Sequence, residues 1–363
     1  MSHKKVKLTA AAVLASSVLL SGCGLFGGDE QAGKEEDIPQ DVSYVDDAAS
    51  ETGAESENET AGEETDGEEA AVSEKVQREL YLIDSNGYVV SQTLELPRTD
   101  EVAKQALEYL VAGGPVDELL PNGFRAVLPA GTAVDVNLKE DGTIVADFSK
   151  EFTNYDKADE ERILQAITWT LTQFENVEKV QIMVNGHEQT VMPVNQTPIG
   201  DGVSRANGIN FNTAEAVDLM SSRAVTLYFM AESSNGDPYY VPVTTRLNLE
   251  GKDKFSAIVD ALINGPSHTS GLTNDLSNEV ALLDEPVLAD GNLVLNFNEA
   301  ILGLEGRIVS KSIVDSLVLT LTEQTGVESI AITVDGEGDL MATDGTNISE
   351  PVARPEKVNT GRF

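Results

Sequence analysis

The feature that most constrains the fold of this chain is an internal repetition at an interval of about 150 residues. Leu80-Tyr81 with Ser85-Asn86-Gly87 meets Leu227-Tyr228 with Ser234-Asn235-Gly236, and Gly114-Pro115 meets Gly265-Pro266. Asp141-Gly142 followed by Val145-Ala146-Asp147-Phe148 meets Asp290-Gly291 followed by Val294-Leu295-Asn296-Phe297. Val177-Glu178-Lys179-Val180 then meets Val327-Glu328-Ser329-Ile330, and Val184-Asn185-Gly186 meets Val334-Asp335-Gly336. These landmarks keep their order and nearly their spacing. They predict two tandem domains at 77–200 and 221–350, joined by a linker at 201–220 and followed by a C-terminal tail at 351–363. The 363-residue length has room for both, together with a leader and a spacer.

Periodicity supplies the contents of each copy. Thr99 stands where it could cap a helix whose apolar stripe is Val102, Ala103, Ala106, Leu107, Leu110 and Val111. Gly113 and Gly114 stop that helix, and Pro115 prevents its resumption. Alternating Val134, Val136 and Leu138 read as a strand, Asp141-Gly142 as a hairpin turn and Ile144 to Phe148 as the returning strand. A second helix is predicted from about Ala158 to Phe174, burying Ile163, Ile167, Leu171 and Phe174, before a strand with Val180, Ile182 and Val184 on one face. Copy two repeats the order, with a strand near Val225 to Met230, a helix carrying Ile258 and Leu262, the Asp290-Gly291 hairpin, a helix from about Ile308 to Thr322 and a strand from Ile330 to Val334. The expected fold class is α+β: two copies of a small α/β sandwich, with helices on one face of a mostly antiparallel sheet.

The first 22 residues read as a lipoprotein signal peptide. His3, Lys4, Lys5 and Lys7 form a charged head, and an apolar stretch follows from Leu8 to Leu20. That stretch is shorter than the roughly 20 residues needed to span a bilayer, and fits a secretory signal. Leu20-Ser21-Gly22-Cys23 resembles the lipobox of bacterial lipoproteins, and Cys23 is the single cysteine of the chain. The expected modification is an S-diacylglyceryl thioether on Cys23, with N-acylation, a palmitate for instance, after cleavage. Two or more acyl chains hold a protein stably at a membrane. The expected location is the extracytoplasmic face of the cell membrane.

From 23 to 76 the chain reads as a disordered acidic linker, rich in Glu, Asp, Gly, Ser, Thr and Ala and almost without large apolar residues. As a flexible coil it would average on the order of 40 Å end to end, extended further by self-repulsion. The stretch from Asp29 to Glu79 contributes about 16 of the excess negative charges, in a chain of formal net charge −38. A chain so short of Lys and Arg cannot neutralise phosphates, so nucleic acid is excluded as a partner.

Candidate chemistry is sparse. With Cys23 lipidated, no cysteine nucleophile remains, and past the leader the histidines are His187 and His268, at different places in their copies. No zinc-ligand spacing or phosphate-binding glycine loop occurs. Asp147 and Glu151 are the carboxylate pair to suspect of glycosidase chemistry, although copy two has about Asn296 and Ala300 at those positions. Asp335-Gly336-Glu337-Gly338-Asp339 has oxygens at alternate positions, as calcium loops do, without the distal glutamate; a solvated turn is the simpler reading. Trp169 lies in the second helix, where core packing is a simpler role than stacking on a ring. No catalytic residue, cofactor or metal is expected.

The lipobox at Cys23, the acidic linker and the paired Gly-Pro, Asp-Gly and Asn/Asp-Gly landmarks together resemble the lipoproteins with tandem GerMN domains. The resemblance covers nearly the whole chain and identifies a fold better than a chemistry. It implies similarity to ring-building modules of secretion and sporulation channels, and a non-enzymatic scaffold or assembly role in spore formation and germination with protein partners in an envelope complex. Peptidoglycan binding, motivated by the long spacer, and a wall hydrolase remain as alternatives. Homo-oligomerisation through a head-to-tail interface is a further candidate property.

Overall fold

The structure, a computed structural model, describes residues 74–211, 222–304 and 306–360. The leader, Cys23 and nearly all of the acidic linker lie outside the described residues. Among the described residues no helix is long and apolar enough to cross a membrane.

Copy one opens with a hairpin of β1 (Lys75–Asp84) and β2 (Val89–Pro97). It continues through α1 (Val102–Glu108), β3 (Phe124–Arg125), β4 (Val134–Leu138), β5 (Thr143–Phe148), α2 (Glu160–Leu171), β6 (Lys179–Val184) and β7 (His187–Glu188). Copy two follows the same plan with β8 (Ser222–Glu232), β9 (Pro238–Asn248), α3 (Lys254–Asn264), β10 (Val287–Ala289), β11 (Asn292–Phe297), β12 (Ile308–Val309), α4 (Lys311–Thr322), β13 (Ser329–Val334), β14 (Met341–Ala342) and β15 (Val352–Ala353).

Each copy builds a four-stranded sheet, in the order β4-β5-β6-β7 or β10-β11-β13-β15. The central pair, β5 with β6 or β11 with β13, is parallel because a helix connects its strands, and the flanking pairs are antiparallel. The α+β sandwich read from the repeat is therefore present twice.

The opening hairpins stand apart from those sheets. Leu80, Tyr81, Leu82 and Ile83 are all fully buried, so β1 is covered on both faces. Beyond β3, which pairs with Ile83 and Asp84, its outer edge is taken up by α2: the Tyr81 backbone N–H donates to Thr170 Oγ1 at 3.0 Å. In copy two the Tyr228 N–H donates to Thr320 Oγ1 at 2.9 Å. A helix hydroxyl thus replaces a missing strand. One continuous apolar core then runs through both copies, including Leu82, Ile167 and Ile182 from one and Leu227, Leu317 and Ile332 from the other.

Two local expectations differ. Thr99 does not cap α1; its hydroxyl accepts from the Glu101 N–H at 3.1 Å, closing a turn before the helix, and Glu101 holds the cap position without a side-chain bond. The helix ends at Glu108, because Val111 leaves it to bridge Leu128.

Candidate functional site at the junction of the two copies

The densest buried polar network lies where the hairpins of the two copies meet. Tyr81 faces Ser91 across one hairpin and Tyr228 faces Pro242 across the other, which makes Ser91 and Pro242 counterparts. Val89 corresponds likewise to Tyr240, and Thr93 to Thr244. Edge strands β2 and β9 approach each other and are joined by two asparagine side chains.

Asn210 accepts from the Val89 N–H at 2.8 Å and donates to the carbonyls of Val89 at 2.7 Å and Pro242 at 2.8 Å. Asn359 accepts from the Tyr240 N–H at 2.7 Å and donates to the carbonyls of Tyr240 at 2.8 Å and Ser91 at 2.9 Å. The two sets of bonds interchange when the copies are interchanged. Both asparagines have positive φ, 48° and 54°, a conformation that Asn adopts more readily than most residues. The residue before each reaches the opposite copy: the Ile209 N–H donates to Thr244 Oγ1 at 2.8 Å, and the Val358 N–H to Thr93 Oγ1 at 3.1 Å. Two tyrosines cross in the same reciprocal way. Tyr239 donates to Asp84 Oδ2 of copy one at 2.8 Å, and Tyr88 donates to the Ser270 carbonyl of copy two at 2.7 Å.

Beside these clamps sits a half-buried ion cluster. The Arg205 guanidinium lies 4.4 Å from the Trp169 ring centroid and donates to both oxygens of Glu323, at 3.0 and 3.1 Å, and to Thr172 Oγ1 at 3.0 Å. Arg354 lies over the Tyr228 ring, 3.1 Å from the same Glu323, and donates to the Leu319 carbonyl at 3.3 Å. Tyr228 completes the set by donating to Glu323 at 2.9 Å. Burial by itself would raise the Glu323 carboxyl, but the two arginines and the Tyr228 hydroxyl outweigh it and hold the group below its ordinary range. Burial raises the hydroxyls of Tyr81 and Tyr228, keeping both neutral.

The residues singled out from sequence lie elsewhere, Trp169 excepted. Trp169 is buried, with its ring 5.6 Å from that of Tyr81, so it packs in the core while offering a face to Arg205. His187 on β7 and His268 after α3 are exposed. Asp147 accepts from the Gly186 N–H at 3.0 Å. The Glu151 carboxyl is held below its usual range by the Ser149 hydroxyl and its own backbone N–H; a glycosidase acid needs the opposite shift. The Asp335–Asp339 turn is occupied by the chain's own cation: Arg307 pairs with Glu337 at 3.2 Å and donates to the Asp339 carbonyl at 3.0 Å. Among the described residues no group of three or more His, Cys, Asp or Glu side chains is gathered to hold a metal. Cys23 lies outside the described residues.

The junction residues carry a sequence signal of their own. Val203-Ser204-Arg205-Ala206-Asn207-Gly208-Ile209-Asn210 and Val352-Ala353-Arg354-Pro355-Glu356-Lys357-Val358-Asn359 share valine, arginine, an aliphatic residue and asparagine at the same spacing. They fall in the stretches read as linker and tail, where the structure places β15 and buried clamp residues.

Comparison with known proteins agrees with this architecture. The family model for Germane, described as sporulation and spore germination, matches residues 79–190 and 226–339. The spore germination protein GerM of Bacillus subtilis is 49% identical over 372 residues, covering 100% of both chains. The solved tandem GerMN domains of the sporulation protein GerM from Bacillus subtilis are 52% identical with a TM-score of 0.75, covering 79% of this chain and 100% of that one.

Proposed function

This chain belongs to the Germane family of sporulation and spore germination, and from that premise we propose that it acts in spore formation and germination as a non-enzymatic, lipid-anchored scaffold or assembly factor for an envelope complex. The observation that carries this reading is the reciprocal junction. Its arginines are spent on Glu323 and its asparagines on the backbones of the two hairpins, which welds the copies into one body of fixed geometry. Such a body suits holding other proteins at set positions. Its two sheets carry different side chains at matching positions: Asp135 and Asp147 stand side by side in copy one, with Glu188 beyond Met183, whereas the counterpart of Asp147 in copy two is Asn296, next to Thr333.

Crosslinking in sporulating cells tests the scaffold role. Membrane-complex proteins should be recovered, and a deletion that left sporulation and germination unchanged would refute it. The anchor is tested by mass spectrometry of the mature amino terminus, where a diacylglyceryl group on Cys23 is expected and Cys23→Ala should release the protein from the membrane. A peptidoglycan-binding role is a second reading, supported by the reach of the acidic spacer; failure to sediment with purified wall material would remove it. Equal wall-degrading activity in the wild type and Asp147→Asn would dismiss the hydrolase alternative at that site.

A further inference from the structure

Among the described residues, β4 of copy one has an open edge along its whole length. The Lys139 N–H donates to the Thr143 carbonyl, and the Ser149 N–H to the Ala133 carbonyl. Antiparallel ladders alternate, so residues 135 and 137 also bond inward to β5, while the N–H and C=O groups of Val134, Val136 and Leu138 point away from it. The other long strands differ: β1 and β8 are covered by helix hydroxyls, and β2 and β9 are bridged by Asn210 and Asn359.

A groove of about 310 Å³ lies beside this edge, between β4 and the start of α1. Val102, Val136, Leu138, Ile144, Phe174 and Val177 form its apolar wall, and Leu138 is 47% exposed. Asp100, Glu101 and Glu175 line the same groove, opposed there by one cation, Lys104, which lies 3.7 Å from Glu101. Asp135 and Lys139 share the outer face of β4, where Asp135 stands opposite Asp147 and Lys139 donates to Gln181.

Copy two has lost this edge. Pro286 stands immediately before β10, which is only three residues long. The register also slips there, since Leu283 bonds to Asn296 whereas Val287 pairs with Val294. Proline, shortness and irregular pairing are the usual ways of blunting a strand against added partners. Copy one keeps a regular edge of five residues.

We infer that the β4 edge of copy one is a docking site for an extended strand of a protein partner, alternating apolar residues with lysine or arginine. The added strand bonds to the outward N–H and C=O groups of Val136 and Leu138. Its apolar side chains enter the groove beside Val136 and Leu138, and its basic residues, on the opposite face, meet Asp135, with Asp147 behind it on β5. A second copy of this chain suits the edge poorly: two β4 strands side by side would bring both acidic rims together, in a chain of net charge −38. The inference rests on the scaffold reading and gives that scaffold a defined contact.

The test uses the full chain in detergent micelles and two fluorescent peptides, one alternating valine with lysine and one alternating valine with glutamate. The lysine peptide should bind at least about tenfold more tightly, with an affinity that falls as salt rises. Val136→Pro removes an N–H that only an added strand would use, and should weaken binding by about tenfold or more with the circular dichroism spectrum retained. Leu138→Lys, which repels the same strand without touching the backbone, covers the case in which proline disturbs folding. Equal binding of the two peptides, or binding unchanged in both variants, would overturn the inference. So would light scattering that showed a dimer abolished by Leu138→Lys, since the occupant would then be a second copy. Peptide binding in vitro reads the edge alone, while the deletion phenotype reads the scaffold role, so the failure of either is separately visible.

Discussion

The two copies share a fold, yet their junction distributes charge unequally. Arg205 and Arg354 are counterparts in the trailing segments of the two copies, but both converge on the acid of one of them, Glu323. The position matching Glu323 in copy one, three residues beyond the helix threonine that holds the hairpin, is Gln173, which accepts from the Glu79 N–H at 3.3 Å. Duplication supplied a reciprocal hydrogen-bond frame, and divergence placed a single buried carboxylate off its axis. The frame and the ion cluster therefore make separable contributions. The frame should respond alike to matching changes in either copy, and the cluster should not.

The sharpest way to break this asymmetry is Glu323→Ala, which leaves two half-buried guanidinium groups without their carboxylate and should cost about 2–4 kcal/mol in chemical denaturation. Gln173→Ala in copy one should cost about 1 kcal/mol. A pH series probes the same carboxylate. Its folded pKa is depressed, so its contribution is present above the unfolded value and is lost as pH falls through the folded one. The wild type should lose stability towards acid over that window, and Glu323→Gln should lose less.

Asn210→Ala and Asn359→Ala test the frame. Each removes a clamp and leaves buried backbone groups unpaired, at about 2–3 kcal/mol by thermal melting, and the two costs should agree closely. A large difference would break the reciprocity. Tyr239→Phe should cost about 1.5–3 kcal/mol because its hydroxyl serves a carboxylate, against about 0.5–1.5 for Tyr88→Phe, whose acceptor is a carbonyl. The smallest effect concerns packing. A pocket of about 340 Å³ opens at the junction, lined by Leu227, Phe229, Val243 and Ala261 of copy two and by Tyr88 and Asn210 of copy one. By the Gly-Pro landmarks Ala261 matches the fully buried Leu110. Ala261→Leu should therefore stabilise by about 1 kcal/mol, read as a higher melting temperature.

Much of the fold was legible because the repeat announced it twice. The Asp-Gly turns needed a glycine at positive φ, and Gly142 and Gly291 have it, at 78° and 79°. The stripe Ile163, Ile167 and Leu171 did mark a buried helix face. The length of α1 was less legible, since Leu110 and Val111 kept helical spacing although Val111 pairs with Leu128 instead. The junction was missed because its residues are polar and fall among Gly, Pro and Asn, the composition of a connector. Val-Ser-Arg and Val-Ala-Arg, each followed five residues on by asparagine, carried the signal that composition hid. Asp147 and Glu151 were singled out by residue type alone, and type says nothing of the backbone N–H groups that occupy them.

The bond between Thr93 and Val358 joins positions 265 apart in the chain. Synthesis proceeds from the amino terminus, so β2 is complete long before the residues that cap its edge have been made. Until Val358 and Asn359 arrive, the first copy waits with an unfinished side. A chain that lacks Val358 and Asn359 leaves Ser91 and Thr93 without their closing partners. The segment that carries Val358 and Asn359 thereby seals the hairpin made first.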